Sequence, residues 1–351
     1  LRELLERFAK GMERLKNASL QADARVDSEA PESVKKKAFQ CPTLSCDDIK
    51  MTGEVLGKGA MSLEVVGGTW RGMQVAIKVI PINASNKMMR KFVVREVRRL
   101  SMLRHRNVIL LYGTASPSPD RLWVVLERAA HGSLDDLLKL SEWEQCEHEE
   151  DREEIKGEQA QKLDEVFGDG RALPGFTTVM LKIAYELVCA LAFLHHQGIA
   201  HNDVKPQNVL VTHDGEVRLT DFGLASRDGS LSSSRSSHSS DGHGLGTLGY
   251  MAPERRQLLG EPKKTDTRPD MFSYGMVLAA LLLGVDPTAE YRADVNCRPS
   301  LTDAAAPRGL VSLIEACLSA NAEARPTAAE VRADLMQLQR YGNTARPPSR
   351  E

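Results

Sequence analysis

Val75-Ala76-Ile77-Lys78 is a β-branched run ending on a lysine between apolar neighbours, and Lys78 stands twenty-one residues past Gly57. A buried lysine is costly unless a carboxylate pairs with it. Glu96 is the natural partner, because it lies on the next helical pattern among apolar Phe92, Val93, Val97 and Leu100. Gly57-Lys58-Gly59 sits between two strand-like runs, and two glycines in a turn by themselves mean no more than a tight hairpin. Downstream come His201-Asn202-Asp203-Val204-Lys205-Pro206-Gln207-Asn208, then Asp221-Phe222-Gly223, then Ala252-Pro253-Glu254. Asp203 is a carboxylate able to take or orient a proton. Asn208 and Asp221 offer hard oxygen ligands, the type that suits Mg²⁺.

In this order and at these spacings, the six runs resemble the eukaryotic protein kinases, from roughly Ile49 to Arg340. Gly68-Thr69-Trp70-Arg71-Gly72 and Gly246-Thr247-Leu248-Gly249-Tyr250 are similar to the tyrosine-kinase-like group of Ser/Thr kinases. The resemblance implies an α+β, bilobal fold, with a small antiparallel β-rich N-lobe carrying one main helix and a larger, mainly α-helical C-lobe. It implies ATP with Mg²⁺, and protein substrates that present Ser/Thr acceptors. Phosphoryl transfer asks for positioning and charge stabilisation rather than covalent work. Backbone N–H groups of Gly57, Lys58 and Gly59 would approach the phosphates, since no Cβ stands in the way at the glycines. Lys78, held by Glu96, would neutralise the α- and β-phosphates, and Asn208 and Asp221 would hold Mg²⁺. Asp203 would accept or orient the proton of the attacking hydroxyl, with Lys205 beside the γ-phosphate. Adenine would sit between Val65 and Ala76 on one side and Leu210 on the other. Its hydrogen bonds would fall to the backbone at Glu127 and Ala129, with Leu126 at the back. Leu100, Leu111, His201 and Phe222 match the family's internal stack, resting on Asp270, and Glu254 matches the glutamate that pairs with an arginine, here Arg325.

The chain departs from the family pattern in three places. The third glycine of the Gly-rich turn is Ser62, and the hairpin holds one extra residue before Val65. Asn202 stands where an arginine is usual. The loop from Asp221 to Glu254 is 34 residues long. Two functions follow: an active Ser/Thr kinase in intracellular signalling, or a pseudokinase acting as a signalling scaffold. Lys78, Asp203 and Asp221, the residues pseudokinases typically lose, are all present; the altered Gly turn is what speaks for the second reading.

The elements that position these residues are legible in outline. β-branched runs around Val55, Val65 and Val75 alternate with Gly-rich turns and predict consecutive antiparallel strands. A helix is expected from Lys87 to Leu103, then strands over Val108 to Tyr112 and Leu122 to Leu126. Beyond Gly132 the period is mostly helical, strongest over Val179 to His195 and Met271 to Leu283. We therefore expect a domain over 49–340, with an N-lobe over 49–130 and a C-lobe over 131–340. Leu1, Leu5, Phe8, Met12 and Leu15 follow heptad spacing, so residues 1–20 read as an amphipathic helix, docked on its own domain or on a partner helix. Residues 21–48 read as a linker and 341–351 as a disordered tail. An insertion over 141–175 opens with eleven acidic and three basic side chains in 141–166, the composition of a solvated surface loop. Nine serines in 226–240 predict a mobile loop.

Composition narrows the partners. The 351 residues are 42% hydrophobic and 27% charged, a globular balance, and the formal charge is -2. No global basic field exists to hold nucleic acid or anionic membrane. The six cysteines are scattered without a C-x-x-C, which argues for reduced thiols and a cytoplasmic location rather than a disulfide framework or zinc ribbon. The longest uncharged apolar run, Met271 to Val285, has fifteen residues. That falls short of the ~20 needed to span a bilayer. No signal peptide is recognised, and the opening Leu leads us to expect a fragment of a longer protein.

Overall fold

The computed structural model describes residues 41–59, 63–82, 87–144, 174–223, 225–227, 249–257, 266–284, 299–301, 306 and 308–341. The heptad segment 1–20, most of the linker, Ser62, residues 145–173 of the expected 141–175 insertion, the serine tract beyond Arg227 and the tail beyond Tyr341 lie outside them, while the insertion's ends, 141–144 and 174–175, and Tyr341 are helical. The chain forms two compact units. One takes the described residues up to Met102 together with Leu111–Glu127; the other takes Leu103–Leu110 and the chain from Arg128 onwards.

The first unit is an antiparallel sheet of β1 (Ile49–Gly59), β2 (Leu63–Trp70), β3 (Met73–Pro81), β4 (Leu111–Ser118) and β5 (Arg121–Glu127), in the order β1-β2-β3-β5-β4. β3 is central, and its residues Val75, Ala76, Ile77 and Lys78 are all buried. A strand covered on both faces reads as an unbroken apolar run, which is why V-A-I-K lacks alternation. The helix α1 (Lys87–Met102) completes the unit. Val93, Glu96, Val97 and Leu100 are its deeply buried stripe, at helical spacing, so Glu96 occupies an inward position.

Residues 41–48, read from sequence as the end of a linker, belong to this unit. Leu44 N–H donates to Thr114 O and Thr114 N–H donates to Pro42 O. Leu44 and Cys46 pack on the core formed by Ile49, Val66, Val75, Ile77, Ala115 and Val125. Gly113 makes the approach possible: a Cβ there would meet Pro42 O at 2.5 Å. The stretch is too short and aperiodic to announce itself as an element.

A second correction concerns Val108 to Tyr112. The strand begins only at Leu111, and residues 103–110 belong to the other unit. Asn107 is the reason. Its Nδ2 donates to Val217 O, its own carbonyl accepts from Leu219 N–H, and Ile109 N–H donates to Leu219 O. Three hydrogen bonds to one strand outweigh the β-branched texture of the run.

The second unit is mainly helical: α2 (Leu134–Glu144), α3 (Pro174–His196), α4 (Pro253–Gln257), α5 (Arg268–Leu283), α6 (Arg308–Cys317) and α7 (Ala328–Tyr341). Short strands β6 (Ile199–Ala200), β7 (Val209–Val211), β8 (Val217–Leu219) and β9 (Ser226–Arg227) pair as β6–β9 and β7–β8. Ser226 and Arg227, expected in the mobile serine tract, thus lie in a strand. α5 is buried along Pro269–Leu281 and stops at Gly284, which takes φ +68 and donates to Ala280 O. Among the described residues one stretch, Val179–His196 in α3, is long and apolar enough to cross a membrane. Ile183, Ala184, Leu187, Val188, Leu191 and Leu194 bury it in the unit's core, so it is the packing helix rather than a span.

Candidate active site

In the β unit, Lys78 Nζ lies 2.7 Å from Glu96 Oε1, and each side chain is only 5% exposed. The pairing joins a central strand to the inward stripe of α1. Val65 pairs with both Gly57 and Lys78, so the glycine turn is in register with the lysine. The β1–β2 ladder slips by one residue between Val55 and Gly57, with the extra residue on β1. Gly57 holds φ +156, a conformation other residues rarely adopt. Lys58 and Gly59 continue the ladder opposite Glu64 and Leu63. Ala76 lies between Gly67 and Leu126, both Ala76 and Leu126 are buried, and half-buried Glu127 closes β5 opposite Val75. Leu100 and Leu111 are fully buried in the same unit.

The helical unit carries the other half. Asp270, 1% exposed, is its anchor. Its Oδ2 accepts from His201 N–H at 2.7 Å and from His195 Nε2 at 2.9 Å, and its Oδ1 accepts from Asn202 N–H at 2.7 Å. Burial pushes this carboxyl up, but the His195 hydrogen bond, the proximity of His195 and His201 and the Asn202 N–H outweigh it and hold it below the ordinary aspartate range. His201 Nε2 meets Thr220 O at 2.9 Å and must therefore donate, leaving Nδ1 to accept from Asp203 N–H at 3.3 Å. The ring of Phe222 stands edge-on to His201 at 5.0 Å.

Asp203 is the focus of this scaffold. Its Oδ2 receives Lys205 Nζ and Asn208 Nδ2, both at 2.9 Å, and Asn208 Nδ2 also reaches Asp203 O at 2.8 Å. Its Oδ1 is buried and has no hydrogen-bond partner among the described residues. Asn208 O accepts from Thr220 N–H, which brings the backbone before Asp221 against it. Asp221 holds φ +62 and is itself bonded only loosely, Gly223 N–H lying 3.4 Å from Oδ1. Leu210 is half-buried on β7 opposite Arg218, and Ala129 is half-buried just inside the start of the unit. Glu254 and Arg325 form the expected bidentate pair at 2.6 and 2.7 Å, with Arg325 also donating to Ser319 O and lying 5.0 Å over the ring of Phe272.

These residues fit Mg²⁺. Asn208 commits its amide nitrogen to Asp203 twice, which leaves its carbonyl oxygen as a ligand, and among the described residues the Asp221 carboxylate meets only the long Gly223 N–H contact. Among the described residues, no three His, Cys, Asp or Glu side chains gather into a metal site. One amide and one carboxylate suit a cation that brings phosphate oxygens and water with it, as Mg²⁺ does.

Sequence reasoning missed two participants. His195 was read only as the end of an apolar helix, and Arg255 not at all. Arg255 Nη2 donates to Asn202 Oδ1 at 3.1 Å across fifty-three residues of sequence. The basic last turn of α3 was the only available hint for His195.

A five-stranded antiparallel unit with a buried Lys–Glu pair, joined in one chain to a helical unit with an Asp–Lys–Asn loop, is the two-lobed α+β plan of a kinase fold. Comparison with known proteins agrees: the model of the protein kinase domain matches residues 51–335. The chain belongs to the protein kinase domain family. It is similar to a serine/threonine-protein kinase/receptor of Acanthamoeba polyphaga mimivirus, 31% identical over 300 residues, 82% of this chain and 16% of the relative. A serine/threonine-protein kinase of Dictyostelium discoideum is 28% identical over 325 residues, 88% of this chain and 41% of the relative. The brassinosteroid LRR receptor kinase of Solanum lycopersicum is 34% identical over 220 residues, 62% of this chain and 15% of the relative. The chain thus spans less than half the length of each of these relatives.

Proposed function

We propose that this chain is the catalytic domain of a protein serine/threonine kinase of the tyrosine-kinase-like group, transferring the γ-phosphoryl group of ATP to Ser/Thr hydroxyls. The observation that carries the proposal is Asp203 Oδ1. Among the described residues this buried carboxylate oxygen has no partner, and such a group is destabilising and needs a reason. A substrate hydroxyl that donates to it supplies one. Lys205 and Asn208 fix the other oxygen, so Oδ1 is aimed without being used up.

In the reaction the hydroxyl oxygen bonds to the γ-phosphorus as the bond to the β–γ bridging oxygen breaks. ADP leaves, and the hydroxyl proton passes to Asp203 or stays oriented by it until the new ester forms. Lys205 stands beside the carboxylate, where its charge also stabilises the migrating phosphoryl oxygens. Lys78, held by Glu96, neutralises the α- and β-phosphates, and backbone N–H groups near Gly57 and Gly59 approach them. Mg²⁺, held by Asn208 and Asp221, would neutralise charge on the β- and γ-phosphates. A cytoplasmic location belongs to the proposal and rests on the scattered cysteines alone.

Incubation with labelled ATP, Mg²⁺ and a basic peptide carrying Ser, Thr and Tyr tests this reading. Transfer to Ser and Thr is expected, with Asp221→Asn as the inactive control. Lys205, two residues past Asp203, follows the Ser/Thr pattern, whereas tyrosine kinases place an arginine in this region. Label recovered mainly as phosphotyrosine would overturn the acceptor class, and nucleotide binding without transfer would make the chain a scaffold.

Regulation should depart from that of relatives with an arginine before the catalytic aspartate. Asn202 is neutral and cannot form a bidentate phosphate pair. Changing all nine serines of 226–240 to Ala is expected to alter peptide-kinase turnover by less than about fivefold. A hundredfold loss, restored by acidic replacements, would make the tract a conventional switch.

A further inference from the structure

We propose that Arg255 is a positioning residue for the catalytic loop, acting on Asp203 through the side chain of Asn202. The inference rests on the kinase reading above and adds to it a second element that holds the loop besides Asp270.

Asn202 directly precedes Asp203 and sits at φ +65, in the left-handed region. Asparagine tolerates that region better than most residues, but the conformation persists only when its surroundings impose it. From one side the imposition is visible: the N–H groups of His201 and Asn202 both point into the Asp270 carboxylate. These bonds fix the amides of two consecutive peptide units. The Asn202 side chain is held separately, its Nδ2 donating to Ala200 O at 3.2 Å and its Oδ1 accepting from Arg255 Nη2 at 3.1 Å.

Arg255 is well placed to transmit position. It lies on α4, where its N–H donates to Ala252 O, next to Glu254. Glu254 is clamped by both terminal nitrogens of Arg325, a side chain that is itself fully buried and tied to Ser319 O and Arg268 O. Arg268 opens α5, the helix that carries Asp270. The loop before Asp203 is therefore gripped twice from one foundation: directly by Asp270, and through Glu254, α4 and Arg255. A cation donating to a neutral amide makes a charge-assisted hydrogen bond, stronger than an ordinary amide pair and without the full desolvation of an ion pair. It supplies a link at the position where Asn202 itself brings no charge.

Steady-state kinetics on a Ser-containing peptide, with wild type, Arg255→Ala, Arg255→Lys, Asn202→Ala and the double alanine variant, tests the inference. Unfolding temperature is measured on each. Arg255→Ala and Asn202→Ala should each lower kcat about tenfold, the scale of one charge-assisted hydrogen bond, with KM for ATP within about twofold. The double variant should be no worse than Asn202→Ala alone, because the Arg255 bond is already lost there, while Asn202→Ala also gives up the bond to Ala200 O. Arg255→Lys, which keeps a charged donor, should recover part of the loss. Turnover within twofold of wild type in Arg255→Ala, losses that multiply in the double variant, or a loss confined to KM would each overturn the role. If Arg255→Ala fails to fold, Arg255→Gln, which keeps a donor but removes the charge, decides instead: lowered kcat at an unchanged unfolding temperature supports the link, and wild-type kcat refutes it. A wild type that phosphorylates no peptide sinks the kinase reading together with this one, whereas unaffected variants of an active wild type sink this one only.

Discussion

Lys78→Met is expected to lower phosphoryl transfer by about a hundredfold or more, the scale seen when a preorganised charge is removed from a developing one. The substitution keeps an unbranched chain on the central strand, so core volume changes little. It does not leave the fold untouched, however. Glu96 is 4% exposed on the inward stripe of α1, and removing the cation 2.7 Å away leaves a buried carboxylate without its main counter-charge. Breaking a buried pair from one side destabilises by about 3–5 kcal/mol unless the survivor takes up a proton. A lower unfolding temperature is therefore expected alongside the lost turnover. Lys78→Met combined with Glu96→Gln separates the two effects, because it removes the stranded charge. The double variant should regain stability and remain inactive. Substantial transfer in either would mean that another lysine neutralises the phosphates.

This pair was legible in the sequence for a local reason. Lys78 ends an apolar run and Glu96 falls on the stripe set by Val93, Val97 and Leu100, so periodicity alone brings both inward. The catalytic loop was legible by its wording, since His201, Asp203, Lys205 and Asn208 bond to one another within eight residues. The parts that stayed hidden depend on distant partners. Nothing in Ala252-Pro253-Glu254-Arg255 says that the arginine reaches Asn202, and nothing in His195 says that it meets Asp270, seventy-five residues on. The segment Cys41–Asp48 was missed because its affinity for the sheet lies in Pro42 O, Leu44 and a glycine on β4, not in any period of its own. Val108 misled in the opposite sense: strand-forming residues were taken over by Asn107, whose hydrogen bonds commit the run to β8.

Asp203→Asn should separate chemistry from binding. The amide is nearly the same size and shape as the carboxylate, and the site decides its orientation. Lys205 Nζ and Asn208 Nδ2 are both donors, so they select the amide oxygen for the position now held by Oδ2. The amide nitrogen is then forced to the position of Oδ1, the buried oxygen that has no partner among the described residues. A group that accepted a hydrogen bond now donates one, and a substrate hydroxyl in that place meets a donor instead of a base. Turnover is expected to fall about a thousandfold, within the range for loss of a positioned general base. Nucleotide affinity should stay within about twofold, because Lys78, Asn208 and Asp221 are unchanged. Calorimetric titration with ATP and Mg²⁺, run beside a peptide-kinase assay, reads both quantities on one preparation. Retained binding with lost transfer confirms Asp203 as the group that handles the proton. Turnover within tenfold of wild type would show that the carboxylate is a structural partner of Lys205 and Asn208, and that the proton leaves by another route.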